Sequence, residues 1–169
     1  VWMGEEQFMK SQIEEKLAQG FSCIKLKIGA IDFDKELGLL RFIRQNFDAK
    51  TIEIRVDANG AFNSNEALSK LNQLNEFELH SIEQPIKANQ IQEMKLLCQQ
   101  TPFPIALDEE LIGVFGIEKK RKLLEEIQPQ YIILKPSLVG GFKGTLEWIS
   151  IAESLNIGWW ITSALESNI

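Results

Sequence analysis

Cysteine is scarce in this chain and histidine scarcer: Cys23, Cys98 and His80 are the full count in 169 residues. The two cysteines lie far apart, with no CxxC and no Cys/His cluster, which argues against a disulfide framework and against a zinc site. A reducing, cytoplasmic setting fits them, and the lone His80 is expected to be structural. Long apolar runs are missing too. Stretches such as Tyr131 to Leu134 are far too short to span a bilayer, and the first twenty residues carry acids where a secretory signal needs an apolar core. There is no broad positive field: 18 Lys and Arg against 24 Asp and Glu leave a net charge of −6, which argues against nucleic acid or an anionic membrane as partner. The one basic run, Lys119-Lys120-Arg121-Lys122, reads as a solvated helix face. No Gly/Ser/Pro-rich linker divides the chain, so residues 1–169 are expected to form a single domain.

What the chain does have is a repeat of charge. Lys27, Asp57, Glu83, Asp108 and Lys135 each end an apolar run, at intervals of 30, 26, 25 and 27 residues. Each interval matches one strand, one helix and two loops, so one supersecondary unit is used repeatedly. In a parallel α/β sheet all strand ends face the same way, and the five charges are expected to converge on one pocket. Three carboxylates there can ligate a hard divalent cation such as Mg²⁺, with Mn²⁺ as the alternative, and leave positions for water and substrate oxygens.

The connecting segments agree. Gln7 to Ala18 has helical spacing closed by Gly20, and "FSCIKLKIG" follows as the first complete strand, Cys23 to Ile28. Phe33, Leu37, Leu40, Ile43 and Phe47 make an amphipathic helix that Asp32 or Asp34 can cap. Asn63 and Glu66 have capping-box spacing ahead of Leu68, Leu71 and Leu74. Strands are expected at "TIEIRVDANG", "LHSIEQP", "FPIALDEE", "YIILKP" and "IGWWITS", with helices near Gln90–Gln99, before Gln128-Pro129 and around Trp148. Gly140-Gly141 reads as a turn. Of Trp159 and Trp160, alternation sends one ring inward and the other under the helices. With "VWMG" at Val1 resembling the end of a further strand, seven positions of a (β/α)8 barrel are accounted for, one unit short of closure. An open edge and a piece of a longer protein are expected.

Lysine at a strand end is costly to desolvate, and crowding by other cations is expected to lower its pKa and make it a base. Lys27 and Lys135 would face one another across the barrel mouth, suited to removing a proton from carbon. Deprotonation beside a carboxylate places two negative charges on one small enediolate, which preorganised positive charge offsets.

The motifs resemble the enolase superfamily in its lysine-base, muconate-cycloisomerase-like branch. Lys25-Leu26-Lys27 looks like that family's KxK, "VDAN" at Val56–Asn59, "IEQP" at Ile82–Pro85 and "LDEE" at Leu107–Glu110 look like its three metal motifs, and "LKP" like its sixth-strand lysine. The likeness covers essentially the whole chain. Within the branch, "VWMG", "IALDEELIG", "ILKPSLVGGF" and "WWITSALESNI" look most like the o-succinylbenzoate synthases. The resemblance implies Lys27 as general base, Lys135 as opposed lysine, and Asp57, Glu83 and Asp108 as Mg²⁺ ligands, a chemistry general to the superfamily. Lys25, Asn59 and Ser163 become candidates for substrate or supporting contacts, with helix capping as the other reading of Ser163.

The implied fold is a partial TIM-type (β/α) barrel, lacking the family's N-terminal capping domain and last barrel unit. The implied reaction is loss of water from a cyclohexadiene carboxylate, a small-molecule substrate, in menaquinone biosynthesis. Alternatives with the same residues are an epimerase or racemase of dipeptides or N-acylamino acids and a muconate cycloisomerase. A third, from another class, is a non-catalytic barrel fragment stabilised as a homo-oligomer that covers its open edge.

Overall fold

The structure, a computed structural model, describes residues 1–166. Strands β1 (Cys23–Lys27), β2 (Glu53–Asp57), β3 (Ser81–Glu83), β4 (Ile105–Leu107), β5 (Tyr131–Leu134) and β6 (Gly158–Ile161) alternate with helices α1 (Glu6–Ala18), α2 (Phe33–Asn46), α3 (Ser64–Leu74), α4 (Ile91–Gln100), α5 (Ile117–Ile127) and α6 (Gly141–Ser154), α1 preceding β1. All neighbouring strands pair in parallel, in the order β1-β2-β3-β4-β5-β6. Among the described residues no ladder joins β6 back to β1, so the barrel stays open.

Alternation along the strands decides what each face holds. Ile24, Leu26, Ile54, Val56, Ile82, Ile105, Leu107, Ile132 and Leu134 share one apolar core with helix residues Met9, Leu40, Ile43, Leu71, Met94, Leu124 and Trp148. Burying side chains of this size stabilises the fold by about 1.5–3 kcal/mol each. The complementary strand positions, Lys25, Lys27, Arg55, Asp57, Glu83 and Trp160, point to the concave face. Ala106 and Ile133 are buried but stand outside the helix-packed core, as inward positions should.

Asp32 caps α2 by accepting from the Asp34 amide at 3.0 Å, and Asn63 caps α3 by accepting from Asn65 at 3.1 Å. Glu66 pairs with Lys70 one turn on, so the expected capping box is half made. "VWMG" is not a strand. Val1 nevertheless lies beside β1, its amino group donating to the Lys25 carbonyl at 2.7 Å and its carbonyl accepting from the Lys27 amide.

Two further expectations are corrected. Lys120 is not on a solvated face: it is 1 % exposed, donates to the Gly144 carbonyl and to Glu147 Oε2 at 2.9 Å each, and braces α5 to α6. It falls in the same i, i+4, i+7 stripe as Leu124 and Ile127, which carries it under the helix. Trp160 turns inward against Tyr131, His80 and Arg55, but Trp159 is exposed and does not join the helix-packed core. His80 stacks on Tyr131 and bonds Ser81 Oγ, a packing role. No helix among the described residues is long and apolar enough to cross a membrane.

Candidate active site

Strand register brings the predicted charges together. Lys27 sits beside Asp57 and Asp57 beside Glu83, while Glu83 pairs with Ala106, two residues before Asp108. Lys135 directly follows β5. Asp57, Glu83 and Asp108 are 1–2 % exposed, at the C-terminal ends of their strands, where a parallel barrel presents its chemistry.

The side chains form an unbroken alternation of sign. Lys27 Nζ donates to Asp57 Oδ2 at 2.6 Å; Lys25 Nζ lies 3.2 Å from the same oxygen and also donates to Glu83; Lys135 Nζ lies 3.9 Å from Glu83 Oε1 and donates to Asp108. Three carboxylates and three ammoniums thus balance in a partly desolvated row. Burial and the Asp57 charge push Glu83 up to about 8, against the pull of Lys25. Burial draws Lys25 and Lys135 downwards, but their acid partners, Glu83 and Asp57 for the first and Asp108 and Glu83 for the second, outweigh it and hold both above the usual lysine range. For Lys135 the expected lowering by crowded cations is therefore overturned, because this ammonium has carboxylates, not cations, as nearest neighbours.

Lys25, Lys27, Asp57, Lys135 and Ser163 line one open cleft of about 330 Å³, with Val1, Trp2, Leu138 and Leu165 as its apolar rim. Glu83 and Asp108 lie beneath its floor. Ser163 lies on the cleft wall and its Oγ accepts from the Leu165 amide at 3.3 Å; among the described residues no helix follows for it to cap. Asn59 accepts from Lys27 Nζ and donates to Glu109 Oε1 at 2.7 Å, linking the candidate base to the β4 loop. Its φ of 44° and the 73° of Gly60 turn the chain sharply after Asp57. At Gly60 an added Cβ would stand 2.9 Å from Lys87 Cα, so only glycine fits there.

The donor set suits a hard cation: three carboxylates on adjacent strand ends, oxygen only, with Glu83 Oε1 buried and lacking a hydrogen-bond partner. Their present arrangement is one of ion pairs. Among the described residues no three acids are drawn onto one point, since a lysine stands between each neighbouring pair. The residues fit Mg²⁺ in kind, and a bound cation would compete with the ammoniums for them.

Charge periodicity did not single out Gln84, Glu109 or Glu110. Glu109 and Glu110 stand in plain sight in "LDEE", but only register shows that Glu109 reaches Asn59 while Glu110 turns under the loop to Gln84 and the Asn89 amide.

The fold and these motifs have counterparts. A family model described as enolase C-terminal domain-like matches residues 9–169. The chain is 59% identical over 169 residues to o-succinylbenzoate synthase of Desulfotalea psychrophila, covering 100% of this chain and 46% of that protein. It is 34% identical over 157 residues to N-succinylamino acid racemase of Thermus thermophilus, covering 93% of this chain and 40% of the other. The crystal structure of MenC from Desulfotalea psychrophila superposes with a TM-score of 0.91 at 56% identity, covering 99% of this chain and 46% of that one. The chain therefore spans less than half the length of these relatives. On its motifs, its strand order and the match over residues 9–169, this chain belongs to the enolase C-terminal domain-like family.

Proposed function

We propose that this cleft dehydrates 2-succinyl-6-hydroxy-2,4-cyclohexadiene-1-carboxylate to o-succinylbenzoate in menaquinone biosynthesis, with Lys27 as base. The observation that carries the reading is the 59% identity to an o-succinylbenzoate synthase along the whole chain, against 34% to the racemase. Residues 1–169 act in it as one domain, built on a single apolar core running from Met9 to Ile157. Two free thiols, Cys23 exposed and Cys98 buried, support a reducing, cytoplasmic setting.

Lys27, as its neutral amine, takes the proton alpha to the ring carboxylate. The electron pair left on carbon becomes a ring double bond as the neighbouring C–O bond breaks, and the departing hydroxide takes back the proton that Lys27 accepted and leaves as water. Aromatisation favours the product, so the site has only to stabilise the enediolate on the way. Lys135 supplies positive charge from the far side of the cleft, and Lys25 holds Asp57 and Glu83 in place. Asp57, Glu83 and Asp108 would hold Mg²⁺, which when bound would supply positive charge against the negative charge that develops beside the substrate carboxylate.

Turnover of the cyclohexadiene acid, with and without Mg²⁺, tests this. Metal-dependent loss of the diene absorbance is expected, and Lys27→Ala should slow it steeply. The second reading, racemisation of an N-succinylamino acid, is favoured by both lysines lining the same cleft, since a racemase needs an acid–base group on each side of the carbon. Lys135→Arg should stop racemisation while leaving measurable dehydration. A folded protein that exchanges the alpha proton of N-succinylamino acids in D2O but leaves the diene untouched would replace the first reading with the second.

A further inference from the structure

Gln84 has no part in the chemistry above, yet it is fully buried and uses every hydrogen-bonding position of its carboxamide. Its Nε2 donates to the Ile86 carbonyl at 3.0 Å and to Glu110 Oε2 at 3.2 Å, and its Oε1 accepts from the amides of Asp108 and Glu110, at 3.2 Å each. Glu110 in turn accepts from the Asn89 amide at 2.8 Å. The backbone of Gln84 adds two more ties, donating to Ala106 O at 2.9 Å and accepting from the Gly60 amide at 2.7 Å. One residue thus joins the loops that follow Asp57 and Glu83 to the loop that carries Asp108.

Two observations show why a side chain is needed there. The β3–β4 ladder ends at Glu83–Ala106, so the Asp108 amide receives no partner from the sheet, and the Asp108 backbone (φ −127°, ψ −76°) has left strand geometry. Gln84 itself sits at φ 40°, a left-handed conformation uncommon for glutamine, which turns its side chain back beneath the acids. We infer that Gln84 is a positioning residue: its carboxamide takes over from the sheet ladder and fixes Asp108 relative to Glu83, setting the spacing of the carboxylates that receive the divalent cation. The inference rests on the cation reading proposed above.

The probe is Mn²⁺ alone, followed by its paramagnetic resonance signal, on the full-length protein carrying this chain, with thermal melting in parallel. Gln84→Met removes all four side-chain bonds at nearly constant volume, and the Mn²⁺ Kd should rise about 10- to 100-fold in the folded protein. Gln84→Glu sets a carboxylate against Glu110 and should also weaken binding, although added negative charge alone would tighten it. Adding Glu110→Gln to Gln84→Glu restores a donor facing an acceptor with polarity reversed, leaves the Ile86 carbonyl without its donor, and should recover part of the affinity even if Gln84→Met does not fold. A lower melting temperature with unchanged Kd in the folded single variants, or a double variant as weak as Gln84→Glu, would overturn the inference and leave the cation site standing. No Mn²⁺ binding by the unsubstituted protein would overturn both.

Discussion

Lysine meets carboxylates in two places in this molecule, one buried and one half-buried, under opposite rules. Between α5 and α6, Lys120 has one carboxylate, Glu147, and one carbonyl, Gly144, each at 2.9 Å, with the Trp148 ring 5.3 Å away. Its bonding is complete and local. At the strand ends, Lys25 and Lys135 are each shared between two acids, Lys27 between Asp57 and Asn59, and Glu83 Oε1 is left without a hydrogen bond. A brace closes its bonding, whereas a site keeps alternatives of similar energy that a ligand can reorder.

Substitutions at the two places should therefore separate activity from stability. The largest effect is expected at Lys27: Lys27→Ala should lower kcat by roughly 10²–10⁴-fold, the usual worth of a positioned base, while the melting temperature moves little. Steady-state turnover beside a thermal melt checks this, and a large fall in melting temperature would erase the contrast. Lys120→Ala should do the reverse. It removes the buried charge-assisted hydrogen bond to the Gly144 carbonyl, at about 1–3 kcal/mol, and turnover measured well below the melt should be unchanged. Lys120→Met, which keeps the apolar stem, should recover part of that loss.

Acidity sharpens the contrast further. Burial and Asp57 raise Glu83 to about 8, so the folded metal-free protein holds a proton there that the unfolded chain has released above the ordinary glutamate value of 4.5. The stability this proton contributes is fully present below 4.5 and lost as pH rises through about 8. With divalent cations chelated, denaturation midpoints should fall across that window, and Glu83→Gln should flatten the slope. The smallest effect belongs to Glu36, buried beneath the loop after β1 with Oε1 accepting from Gly29 and Oε2 unpartnered. Burial raises it against the Gly29, Ile31 and Ala30 amides, so its contribution too fades as pH rises above the ordinary glutamate range. Glu36→Gln should remove that shallow component from the same titration.

The barrel was legible from sequence because its two periods are strict: apolar alternation marks strands, three- and four-residue steps mark helices, and each strand ends on a charge. Which charge meets which was not legible. Lys25 reaches Glu83 across 58 residues only because β1 and β3 flank β2 in register. Lys120 belongs by period to the stripe of Leu124 and Ile127, a signal that the run of four basic residues around it masks. Gln84 left no periodic signal, because a polar residue after a strand-end acid and before proline looks like a turn. "VWMG" looked like a strand from composition, while the backbone lends β1 only two hydrogen bonds there.

The separation of inward from outward strand positions has an evolutionary consequence. Ala106 and Ile133, together with the charged residues of the concave face, can be exchanged without disturbing Ile105, Leu107, Ile132 or Leu134, which hold the helices. Change on the inside thereby leaves the helix contacts of the outside in place. A lineage can retool its reaction one inward residue at a time while every ancestor along the path still folds, and relatives on this frame that bear the names of a synthase and a racemase are what such a history would leave behind.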